Sequence, residues 1–147
     1  MLDATDLRIL RQFQAAPDLP NADLADRAGV TPTTLARRID KMREAGVIRA
    51  VRAVINWPAL GYTVEVSLRV TQDKTQPRAF DEFLAGAREV PEVIEAQTFL
   101  GQVDARLSVI ARDMPHYQQV YRDKLLTLPH IADIEALMHV ARVKFDE

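Results

Sequence analysis

The segment NADLADRAGVTPTTLARRIDKMREAGVI (residues 21–48) decides how the chain begins to fold. Asn21 is a good N-cap for a short helix carrying Leu24, Ala25 and Ala28 on one side. Gly29 follows as a left-handed stop, where the absence of a Cβ removes the steric cost. Thr31 caps a second helix whose first position, Pro32, loses no backbone donor. Leu35, Ile39 and Met42 recur at i, i+4 and i+7 and build its inner stripe, and Gly46 ends it. The small Ala25 lets the two helices approach closely across the glycine turn. A short helix, a sharp turn and a second helix make a helix-turn-helix.

Working outward, Leu7, Ile9, Leu10 and Phe13 have helical spacing, so a helix precedes the motif. Asp3 or Thr5 can cap it, and Pro17 and Pro20 end it. Downstream, Val47 to Ile55 is β-branched and partly alternating, which predicts a strand and hence a wing beside the motif. Asn56-Trp57-Pro58 breaks that strand, with Trp57 expected as a packed junction residue. The first domain is therefore residues 1–56.

The outer face of the second helix carries the chemistry. At about 100° per residue, with Leu35 at zero, Thr33 falls near 160°, Arg37 near 200°, Lys41 near 240° and Thr34 near 260°. Arginine can fork onto a guanine edge, and threonine can meet a thymine methyl or a phosphate. Arg38 lies at the flank, where a phosphate contact and an internal ion pair are both open to it. Arg49 and Arg52 would lie along the wing. Thr31, Thr33, Thr34, Arg37, Arg38, Lys41, Arg49 and Arg52 are the candidate contacts to double-stranded DNA.

The net charge of the 147 residues is −2, which alone argues against a nucleic-acid partner. Its distribution argues otherwise. Residues 1–56 hold 9 basic and 7 acidic side chains, whereas residues 57–147 hold 10 and 14. Screening confines a patch's influence to about 10 Å, so a basic face can act on an acidic chain. A solvated helix face is the alternative.

The rest, residues 57–147, reads mostly as strands. Val64, Val66, Leu68 and Val70 alternate with polar residues. Phe80, Phe83, Leu84 and Ala87 are helically spaced, and Val93 to Leu100 reads as a strand. Ala105 to Ala111 alternates, Tyr117 to Leu128 is a second helical stripe, and Ile134 to Val143 is a last strand. The order βαββαβ is the ferredoxin-like arrangement, with both helices on one sheet face. Phe99 and Ile110 among the polar residues predict that a second subunit covers the other face. The fold class is α+β: an N-terminal winged helix-turn-helix and a C-terminal ferredoxin-like domain.

Several motifs recur end to end: Leu2-Asp3-x-x-Asp6-x-x-Ile9-Leu10, Leu24-Ala25-x-x-Ala28-Gly29-Val30-Thr31, Arg38-Ile39-x-x-Met42-x-x-x-Gly46-Val47-Ile48, Leu60-Gly61, Pro91-x-Val93, Gly101-x-x-Asp104, Arg112-Asp113, Leu125-x-x-Leu128-Pro129 and Val143-Lys144. In this order and spacing the chain resembles the Lrp/AsnC, or feast/famine, transcriptional regulators. The resemblance implies a sequence-specific DNA-binding regulator responsive to an amino acid or related metabolite. It implies a homodimer that assembles further into tetramers or octamers. It also implies an effector near Gly101, Gln102, Val103 and Asp104, between subunits. There Asp104 would meet an ammonium, and the backbone around Gly101 a carboxylate. A tight turn, with Gly101 at positive φ and Asp104 closing the loop, is the competing reading. Ala105 and Ala136 stand where the family carries bulkier or hydroxylated residues, which implies room for a larger effector or a lost pocket.

Two rival functions are a small dimeric enzyme on a ferredoxin-like sheet and a purely oligomerising DNA-binding protein. The enzyme is poorly supported. There is no cysteine, and His116, His130 and His139 show no metal-ligand spacing. Ser67 and Ser108 have no base nearby in sequence, and Asp104 and Asp113 are too far apart along a strand to act as a pair. No metal, cofactor or membrane span is expected, and a start carrying Asp3 and Asp6 reads as cytoplasmic.

Overall fold

A computed structural model describes residues 1–144. The chain forms two compact units, one spanning Met1–Val54 and the other beginning at Ile55.

The N-terminal unit is three helices: α1 (Ala4–Ala15), α2 (Asn21–Ala28) and α3 (Pro32–Glu44). Each boundary has a local cause. Asp3 and Asp6 form a reciprocal capping box at the start of α1. Gly29 ends α2 in the left-handed region, at φ 70° and ψ 37°. Thr31 Oγ1 accepts the Thr34 N–H at 3.2 Å and caps α3. Asn21 is not a cap: Pro20 holds that position with no side-chain hydrogen bond, and Asn21 is the first helical residue. Ile9, Leu24, Ala25, Ala28, Leu35, Ile39 and Met42 make the core, with Phe13 and Ile48 packed against it.

The strand expected over Val47 to Ile55 does not form. Residues 49–56 are exposed and belong to no sheet, and Val47, Val51, Val54 and Ile55 lie open to solvent. Strand propensity therefore failed as a guide here, because a strand also needs a partner for its backbone donors and acceptors. Arg49 and Arg52 consequently sit on exposed coil rather than on a wing strand.

The second unit opens with a 3₁₀ turn (Trp57–Leu60), in which Trp57 meets Tyr62 edge-on at 6.0 Å. Then follow β1 (Val64–Gln72), α4 (Ala79–Arg88), β2 (Val93–Thr98), β3 (Ala105–Ala111), α5 (Met114–Val120) and β4 (Ile131–Met138). The strands are antiparallel in the order β2-β3-β1-β4. α5 continues as one π turn, Tyr121–Leu125, so the second stripe is not a single regular helix. The last strand is Ile131–Met138, not Ile134 to Val143, and residues 139–144 are coil.

One sheet face meets both helices. Val66, Leu68, Val70, Ala105, Leu107, Val109 and Ala111 pack with Phe83, Ala87, Tyr117 and Val120. Ala105 is fully buried there, so its small side chain belongs to the core rather than to an effector pocket. The opposite face carries Glu65, Ser67, Arg69, Arg106, Ser108, Ile110 and Leu137. Ile110 is already buried on that face within the chain, while Phe99 beyond the end of β2 is exposed.

Candidate functional site

Two clusters bear on function, one in each unit. In the N-terminal unit, Leu35, Ile39 and Met42 anchor α3 inward and leave Thr33, Arg37 and Lys41 exposed on the other side. Thr31 and Thr34 are less available, since the Thr31 hydroxyl donates to the Thr34 hydroxyl at 3.0 Å. A cleft of about 440 Å³ borders this face, lined by Arg37, Arg38, Lys41, Asp3 and Asp6 among others.

Arg38 does not join the exposed cations. Its Nη1 donates to both Asp3 carboxylate oxygens at 2.8 Å and to Asp6 Oδ1 at 2.9 Å. That hydrogen bond holds the Asp3 carboxyl well below its usual range, at about 2, and Asp3 in turn raises the Arg38 guanidinium. Of the two roles open to Arg38, the structure realises the internal ion pair.

In the second unit, residues 99–104 join β2 to β3. Phe99 N–H donates to the Asp104 carbonyl at 2.9 Å, and Asp104 N–H to the Val70 carbonyl at 3.0 Å. Asp104 Oδ2 accepts the Gln72 N–H at 2.8 Å, and Lys74 Nζ lies 3.7 Å from Oδ1. Thr71 Oγ1 donates to the Gln102 carbonyl at 3.3 Å. Asp104 thus closes the loop, as a turn requires. Gly101 is not at positive φ, and a Cβ there would meet nothing within 4 Å, so this chain's own fold does not demand glycine. Gln102 is exposed and Val103 half-buried.

Sequence reasoning missed Gln72. It is buried at the end of β1, and neither its amide oxygen nor its nitrogen has a hydrogen-bond partner. An orphaned buried amide costs about 1–3 kcal/mol per group and calls for an explanation. The alternation of β1 would have placed it inward, but a register shift between Thr71 and Gln72 lies outside any period-2 pattern.

The histidines do not gather. His116 Nδ1 accepts the Arg112 N–H at 3.0 Å, His130 Nε2 lies 2.6 Å from Glu82, and His139 Nδ1 lies 3.6 Å from Glu65. Glu92 lies near His116 and 2.7 Å from Lys124. Burial, the largest single influence, works to raise its carboxyl, but the Lys124 hydrogen bond, a backbone hydrogen bond and the charges of Lys124 and His116 together lower it. Asp113 caps α5 through the His116 N–H. Among the described residues no cluster of metal-ligating side chains occurs, and no helix is long and apolar enough to cross a membrane.

Residues 2–49 match the model of a winged helix-turn-helix DNA-binding domain, and residues 65–147 match the Lrp/AsnC ligand-binding domain. A proline dehydrogenase transcriptional activator of Rhodobacter capsulatus is 36% identical over 132 residues, spanning 90% of this chain and 86% of that protein. A leucine-responsive regulatory protein of Haemophilus influenzae is 30% identical, over 97% of this chain and 86% of its own length. Among solved structures, a transcriptional regulator from Neisseria meningitidis in complex with L-methionine superposes with a TM-score of 0.92 at 25% identity, covering 99% of this chain and 94% of that one. An AsnC-family regulator from Agrobacterium tumefaciens gives 0.88 at 30% identity, with the same coverages.

Proposed function

Because the chain belongs to the Lrp/AsnC family of transcriptional regulators, it is a DNA-binding regulator with a ligand-binding domain, and we propose that Thr33, Arg37 and Lys41 on α3 read its operator. The carrying observation is the division of α3 into a buried stripe and an exposed cationic face. An Arg37→Ala substitution lowers affinity for the selected operator by about 1–3 kcal/mol and relaxes selectivity. Lys41→Ala weakens binding to every duplex and lowers the salt slope by about one. Gel-shift titrations at several salt concentrations check this, and two variants indistinguishable from the parent would show the wrong face was chosen. In this reading the chain acts by binding and carries out no catalysis.

The effector is an amino acid bound at Gly101, Gln102, Val103 and Asp104. Support comes from the open space at Gly101 and from the L-methionine of the Neisseria regulator. The ammonium would take the place of Lys74 beside Asp104. Calorimetry with the twenty amino acids should find a binder whose affinity collapses in Asp104→Ala. No heat with any of them favours the second reading, an oligomerising DNA-binding protein without an effector. That reading draws on the engagement of Asp104 by Gln72 and Lys74 within the chain.

The reading includes a homodimer that assembles further. Two surfaces support self-association: the exposed apolar side chains Val47, Val51, Val54 and Ile55, which lie outside any sheet, and the sheet face opposite the helices. On that face Leu137 pairs in register with Ser67 and is half exposed, so a charge there does not trouble the folded chain. Leu137→Glu is expected to weaken the dimer at least tenfold in sedimentation, about 1.4 kcal/mol. A parent that sediments as a folded monomer ends the dimer reading.

A further inference from the structure

Arg38 stands on α3 beside Arg37, yet its guanidinium is turned toward α1. Its side chain is 23% exposed and that of Asp6 14%. The two carboxylates that grip it also close the capping box. Asp3 Oδ1 accepts the Asp6 N–H at 2.8 Å, and Asp6 Oδ2 accepts the Asp3 N–H at 3.2 Å. Three side chains therefore tie the first turn of α1 to the middle of α3. Two carboxylates around one guanidinium leave a net negative cluster, which repels rather than attracts a phosphate. To reach DNA, Arg38 would have to leave both carboxylates unneutralised beside it.

Apolar packing between the helices, through Ile9, Leu35 and Ile39, is non-directional. A guanidinium held by two carboxylates is directional, because its donors lie in a rigid plane. We infer that Arg38 is a positioning residue: gripped by Asp3 and Asp6, it sets the orientation of α3 on α1 and so aims Arg37 and Lys41, without itself touching DNA. This rests on the reading of α3 as the recognition helix.

Positioning and plain electrostatics predict opposite signs for Asp3→Asn. Asparagine still caps α1 but holds the guanidinium less firmly. Were Asp3 merely a like-charged neighbour of the DNA, neutralising it would strengthen binding to any duplex. The test uses the full chain with a duplex enriched by the parent protein from a randomised pool. A scrambled duplex of the same composition serves as reference, and both are titrated at several salt concentrations. Circular dichroism melts ensure that each variant is folded at the assay temperature.

Asp3→Asn and Arg38→Gln should each lower the ratio of selected to scrambled affinity by about tenfold, the equivalent of one lost base contact. The salt slope on the scrambled duplex stays unchanged. Arg38→Lys, which still reaches one carboxylate, recovers part of the ratio. A fall of about one in the salt slope of Arg38→Gln assigns Arg38 to a phosphate and overturns the inference. So does an unchanged or higher ratio in Asp3→Asn. Arg37→Ala in the same series separates the two readings. If it loses selectivity while the Asp3 and Arg38 variants keep theirs, positioning fails and the recognition face stands. If all three keep it, the recognition face itself is wrong.

Discussion

Phe83→Ala should destabilise the C-terminal unit by about 3–5 kcal/mol. Phe83 is fully buried on α4, and among the described residues it is the largest fully buried side chain. It packs with Ala87 and the inward residues of the sheet, including Leu68, Leu107 and Val109. Truncation removes most of an aromatic ring from a close-packed layer, and the cavity adds to the lost transfer energy. The loss is comparable to the whole stability of a small domain. Thermal melts should show the transition of this unit collapsing, and self-association and any amino-acid binding should go with it. A melt shifted by no more than an exposed substitution would mean that α4 does not pack as described.

Leu35→Ala is the N-terminal counterpart, with an expected cost of about 2–5 kcal/mol. Leu35 is fully buried and touches no part of the outer face of α3. Among the described residues the core around it contains six other buried residues, three of them alanines or methionine, so there is little else to compensate. A unit of this size buries a small fraction of its surface and is marginal to begin with. DNA binding should fail although Arg37 and Lys41 are untouched, while the self-association carried by the sheet face of the second unit persists in sedimentation. The two cores share no residues, so each substitution should move one transition in calorimetry. A single transition displaced equally by both would show that the units unfold together.

The helix-turn-helix was legible because its determinants are local. Gly29, Thr31, Pro32 and the Leu35-Ile39-Met42 stripe each act within a turn or two. The alternation of β1 and β3 was legible for the same reason, as was the grouping of both helices on one face. The bounds of the last strand were not, since pairing with β1 rather than composition decides where it ends. Asn21 shows the limit at a single residue: Pro20, fixed near φ −55°, already starts the helix one position earlier.

At the candidate site the exposed positions of Thr33, Arg37 and Lys41 followed from helical period alone. The partner of Arg38 did not, because Asp3 lies 35 residues away and Asp6 lies 32. The burial of Gln72 depends on a register shift, and the hold of Asp104 on the Gln72 N–H spans 32 residues. The competing reading of Gly101 as a positive-φ turn residue does not hold, since its φ is not positive. The sequence by itself determined the order of the three helices, the βαββαβ order of the second unit, the faces these elements bury and the family that the chain resembles, since these rest on spacing, local caps and motif order. Only the tertiary structure decided which charges are spent internally and which remain on the surface. It also left the β-branched run from Val47 to Ile55 outside any sheet, because ion pairs and strands both require a second group that sequence-local preferences do not supply.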